Sequence, residues 1–152
     1  MDALGKLIDL TTAVIVMMII PVIWARGMND RLIMKYAGCL AEEFTEDVCH
    51  HGGITKERYE TFLNGLSAAS YGLRVDIEAS SLVPEPVYEN GIFTGKTVDT
   101  ERVCYKEDII GIVYTKGRCA FATGTEFYVT IAHENEKVRT GGTVISNPGD
   151  RP

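Results

Sequence analysis

The sequence predicts an α+β chain. An N-terminal transmembrane helix continues into an amphipathic helix, and a second helix and a small, mostly antiparallel sheet packed on the first helix follow. Three observations predict this. Leu10 to Ala25 (LTTAVIVMMIIPVIWA) runs sixteen residues without a formal charge. Helix-spaced apolar residues carry on beyond it. Leu73 to Ala79 (LRVDIEA) then alternates apolar and polar strictly, the pattern of a half-buried strand.

The apolar run extends back to Leu7, with Asp9 as its only charge. A helix rises about 1.5 Å per residue, so roughly twenty residues cross a hydrocarbon core of about 30 Å. Leu7–Ala25 therefore suffices if Lys6 and Asp9 sit at one interface and Trp24 and Arg26 at the other, where Trp suits the headgroup belt and Arg can snorkel. Thr11, Thr12 and Pro21 are tolerated in a bilayer helix. A cleaved signal would want a basic start and a small-residue cleavage site, and Ile23-Trp24-Ala25 is a poor match. A buried core helix is the other alternative, and this run is near its upper length.

Past the anchor, Ile33, Tyr36, Leu40, Phe44 and Val48 recur at three- and four-residue spacing and give a helix-packing face. Asp30, Arg31, Lys35, Glu42, Glu43, Glu46 and Asp47 fill most of the remainder. Gly52-Gly53 ends the pattern. The expectation is one helix of forty-odd residues, kinked at Pro21. The organisation that follows is an anchor over 1–27, an α+β domain over 28–146 with a stalk helix at 28–51, and a loose tail over 147–152.

Thr55 reads as an N-cap with Glu57 in the first turn, and Tyr59, Phe62, Leu63 and Leu66 give a second amphipathic helix ending near Ser70 to Gly72. Ser80 to Pro86 reads as a loop, because each proline biases its predecessor away from helix. Residues 107–115 suit either a short helix, capped by Asp108 and ended by Gly117, or a strand, given their β-branched content. Arg118–Ala122 and Glu126–Ala132, joined by Thr123-Gly124-Thr125, read as a hairpin, and Thr143–Ser146 as an edge strand.

Composition narrows the function. With Lys6, Asp2 and Asp9 set aside, the chain from Arg26 onward carries fourteen Lys+Arg against nineteen Asp+Glu, net −5 with the signs interspersed. No basic stripe is present for nucleic acid. No nucleophile elbow, phosphate loop or metalloprotease helix motif occurs, so no catalytic residue, cofactor or small-molecule substrate is assigned and the chain is read as non-enzymatic. Cys49-His50-His51 with His133 lacks the spacing of a zinc site and reads as a polar helix end, so no metal is assigned.

Of the cysteines, Cys39 and Cys49 sit about 280° apart around one helix and about 15 Å along it, too far to bond. If the domain lies outside the membrane, Cys104 and Cys119 are the natural pair. Closing that fifteen-residue loop would contribute roughly 3 kcal/mol.

The layout resembles the pseudopilin-like, minor-pilin-like small proteins of Tad-type (tight-adherence) pilus and related secretion systems. The features that carry this are the apolar helix running into an amphipathic one, the stretch Gly53 to Leu63 (GITKERYETFL) leading through Leu66 to LRVDIEA, and the late strand Gly124 to Ile131 (GTEFYVTI). The resemblance implies a structural, single-pass subunit of a bacterial envelope pilus or secretion assembly. Its partners would be sister pilin-like subunits or secretion-apparatus proteins, and its domain would be extracytoplasmic at the cell membrane. Gly5 follows only Met-Asp-Ala-Leu and the nearest acid is Asp9, so an uncleaved anchor is expected. Counting Lys6 against Arg26, Arg31 and Lys35 alone would instead put the domain inside. The alternative function is a membrane-tethered module that recruits a partner protein.

Overall fold

The structure, a computed structural model, describes residues 3–70, 72–134 and 136–146. The expected tail at 147–152 lies outside the described residues. The chain is α+β: among the described residues it has a long N-terminal helix, two further helices and two small antiparallel sheets.

Helix α1 (Ala3–His51) runs 49 residues without a break, with Pro21 inside it. From Ile8 to Leu32 its described side chains are exposed, apart from half-buried Asp30. From Met34 onward one face is covered, and Met34, Ala37, Ala41, Phe44 and Val48 are buried there. This corrects the expected packing face. Phe44 and Val48 lie in the core and Ile33 and Leu40 are half-buried, but Tyr36 is 51% exposed. The buried arc is centred about a third of a turn away from Tyr36. Ala37 and Ala41 let the sheet approach closely, and small residues of that kind are a faint signal in a search for bulky apolar spacing.

Gly52, at φ 65°, turns the chain out of α1 into β1 (Gly53–Thr55). Thr55 caps α2 (Lys56–Ala69), its Oγ1 accepting from the Arg58 N–H at 3.4 Å, with Glu57 in the first turn. Helix α2 buries Tyr59, Phe62 and Leu66, and the Phe62 ring stacks on Phe44 of α1 with centroids 4.4 Å apart.

Strands β2 (Arg74–Glu89) and β3 (Ile92–Tyr105) form one long antiparallel hairpin, so the loop expected at Ser80–Pro86 is strand. Its turn is Asn90-Gly91, with positive φ at both residues, the geometry a two-residue hairpin requires. Residues 106–116 resolve as helix α3 (Lys106–Lys116), and Gly117 ends it in the left-handed region. The residue at its N-cap position is Tyr105, which makes no side-chain cap bond; Asp108 lies within the first turn.

The expected hairpin around Gly124 does not form. Strand β4 (Arg118–Ala120) pairs with β1, while β5 (Glu126–His133) pairs with β2 and with β6 (Glu136–Thr143). The edge strand thus lies over 136–143, earlier than expected. The large sheet has the order β3-β2-β5-β6. Ile77, Ala79, Phe127, Val129 and Ile131 point from it into the core, joined by Ile109 and Val113 of α3 and by Ile54, Cys119 and Phe121.

Candidate functional site

Three surfaces outside the core carry the functional question: the bare length of α1, the projecting hairpin, and the cleft between α1 and α2. The first is apolar and uncovered. Met17 is 80% exposed and Trp24 71%, and the helix is long and apolar enough to cross a membrane. The Thr11 and Thr12 hydroxyls donate to the Ile8 carbonyl at 2.9 and 2.8 Å, so these two hydroxyls are satisfied within the helix. That is what a lipid-facing segment requires.

Strand directions fix the head relative to this length. Gly38 of α1 faces Val138, and Gly142 faces Thr45 and Cys49, so β6 runs in the same direction as α1. Antiparallel pairing then sends β5 back toward the apolar length of α1 and β2 away from it. Arg74, Ala132 and Lys137, aligned by register, sit at the end of the sheet nearer that apolar length. Between α1 and β6 at that end lies a shallow groove of about 500 Å³, lined by Arg31, Met34, Lys35, Gly38, Glu136 and Val138, among others.

At the opposite end the hairpin outruns the sheet. Strand β5 covers β2 only as far as Ser80, and β2 and β3 continue as a two-stranded ribbon to Glu89 and Ile92. Nine residues of strand reach about 30 Å. Pro84 and Pro86 sit two apart, so their missing N–H groups face one edge, the edge β5 no longer covers. The ribbon tip is apolar: Ile92 is 74% exposed, and Tyr88 packs on Phe93 with ring centroids 5.9 Å apart.

The cleft between α1 and α2, about 680 Å³, is lined in part by Asp47, His51, Arg58 and Arg118. Asp47 organises it, one carboxylate oxygen 2.9 Å from His51 Nδ1 and the other 3.1 Å from Arg58 Nη1. Arg118 donates to the His51 carbonyl at 3.1 Å. Both arginines are thereby held by an acceptor, and the network ties the C-terminus of α1 to α2 and β4. It presents no nucleophile beside a base.

Cys104 and Cys119, the pair expected if the domain lies outside the membrane, are brought together as neighbouring free thiols. Burial pushes the Cys49 thiol up, and burial followed by the neighbouring Cys104 raises that of Cys119. Cys39 is exposed. Cys49 packs against Gly142, away from a shared site with His50, and among the described residues no group of three or more His, Cys, Asp or Glu could hold a metal ion. The ribbon was invisible to apolar periodicity; the Asn90-Gly91 dipeptide was the signal for it. No family model, no curated protein and no solved structure matches the chain.

Proposed function

We propose that the chain is a membrane-anchored, non-enzymatic assembly subunit of pseudopilin-like type, with its head on the extracytoplasmic side. One observation carries the reading: α1 passes without a break from an uncovered apolar length into the core of the head. A tether needs only a flexible link, whereas a continuous helix makes anchor and head one body and transmits force and register between them. The same layout supports sister subunits packing along the apolar length, as the resemblance to Tad-type pseudopilins implies.

The exposed tip residues Tyr88, Ile92 and Phe93 favour a second reading, a membrane-tethered module that offers the ribbon to a partner protein. Replacing residues 10–25 by an unrelated span in the full-length chain separates the two. The assembly reading expects detergent-extracted oligomers to collapse to monomers, and the tether reading expects function to survive. A full-length chain that is a soluble monomer without detergent would sink both. Sidedness is read by a membrane-impermeant thiol reagent on whole cells. Labelling of Cys39, exposed on α1, is expected before lysis; labelling only after lysis would put the head in the cytoplasm.

A further inference from the structure

We infer that the groove between α1 and β6 seats the headgroup of an anionic phospholipid, its phosphate between Arg31 and Lys35. The inference rests on the membrane-anchor reading above. Three observations converge on it. The groove lies at the anchor end of the head, and its floor is apolar, with Met34 buried and Val138 half-buried. Arg31 and Lys35 line it, both exposed, one turn apart and in no ion pair among the described residues. Below it α1 continues as the uncovered apolar length.

The heights agree. Arg31 and Lys35 follow Arg26 by five and nine residues, which places their backbones about 8 and 14 Å above it. Helix side chains lean toward the N-terminus, here the membrane side, which brings both cationic ends down toward the headgroup layer. Val138, Thr140 and Gly142 face α1, so Lys137 and Arg74 lie on the other face of the sheet and leave Arg31 and Lys35 as the cations of the groove. Glu42 and Glu136 also line the groove and half-buried Asp30 lies near its foot. These acids narrow the seat to the strip between Arg31 and Lys35 and disfavour a diffuse polybasic contact. Acyl chains of a lipid held there would run along the face of α1 that carries Ile20, Ile23 and Trp24, all exposed.

The test uses the full-length chain reconstituted in vesicles of phosphatidylcholine alone and of phosphatidylcholine with phosphatidylglycerol. Flotation with the vesicles is scored first, then lipid retained on the extracted protein by native mass spectrometry. Phosphatidylglycerol should be retained in preference to phosphatidylcholine, and Arg31→Gln with Lys35→Gln should cut that preference by roughly fivefold per basic residue removed. The charge-keeping pair Arg31→Lys and Lys35→Arg should retain it, as should Arg102→Gln on the distant ribbon. Equal retention of the two lipids, an unchanged preference in the double Gln variant, or displacement by millimolar inorganic phosphate would overturn the inference while leaving a floating, anchored protein. Failure to float would remove the anchor reading itself, and this inference with it.

Discussion

Gly142 on β6 stands so close to Cys49 of α1 that a β-carbon at that position would lie 2.9 Å from the sulfur and 3.6 Å from Thr45 Cγ2. The edge strand and the long helix therefore meet with no room for a side chain. Gly142→Ala should destabilise the head by about 1–3 kcal/mol, the usual cost of overpacking. Removing the sulfur in a Cys49→Ala background should recover part of that loss. A double-mutant cycle on denaturant midpoints should return a coupling of about 0.5–3 kcal/mol. Strict additivity would mean that the strand does not sit on the helix at this register.

Gly53→Ala should cost more than Gly142→Ala. A β-carbon at Gly53 would collide with the Cys119 carbonyl oxygen and come within 3.0 Å of the Ala120 Cα. Those are backbone atoms of the paired strand and cannot swing aside as a thiol can. The pairing they serve also includes the Phe121 N–H donating to the Gly52 carbonyl at 2.9 Å and the Lys56 N–H to that of Gly117 at 3.1 Å. Thermal melts of the two variants compare them directly; equal or smaller loss at Gly53 would contradict the β1–β4 ladder.

Phe44 and Phe62 stack nearly parallel, at 8°, and Phe127 closes on Phe44 edge-on with centroids 6.2 Å apart. Phe62→Ala should therefore lose about 3–5 kcal/mol, the range for emptying a buried aromatic site. Phe62→Leu keeps most of the volume and should lose less. Tyr36→Ala, on the exposed side of α1, should stay within about 0.5 kcal/mol in the detergent-solubilised monomer.

These contacts also mark what was legible beforehand. Both long helices could be read, because their apolar spacing, the Thr55 cap and the Gly52 stop are local signals. Tyr36 and Ala41 could not be sorted by spacing alone. Which arc of a helix is covered depends on where the sheet lands, and small residues mark that landing more faintly than large ones. The hairpin of β2 and β3 was missed because Pro84 and Pro86 speak against a strand. They are tolerated here only because that edge of β2 has lost its neighbour, which is a tertiary circumstance. Asn90-Gly91 was the local evidence on the other side. Pairing of β4 with β1, sixty-odd residues upstream, left no local trace; nearness in sequence had suggested β5 instead.

The cysteines give the last prediction, with a sign that follows from burial. Cys39 is exposed and Cys104 half-buried, whereas Cys49 and Cys119 are buried with their thiols pushed up. A thiol reacts as its thiolate, so alkylation of the native chain at pH 8 should proceed at Cys39 first and Cys104 next. Cys49 and Cys119 should follow only as the protein opens. Tyr59 is likewise raised, by burial and then by Tyr114. Groups whose folded values lie above their unfolded ones stabilise the fold fully below the unfolded value and less as pH climbs through the folded one. The two thiols therefore place the onset of lost stability near pH 8.5, and Tyr59 adds to it above about pH 10. Denaturant midpoints should fall across pH 8–11. Cys49→Ser would keep a small hydroxyl in place and remove one thiol titration, flattening the lower part of that decline. An unchanged slope in that variant, or labelling of Cys49 and Cys119 as fast as Cys39, would contradict the burial assigned to these thiols.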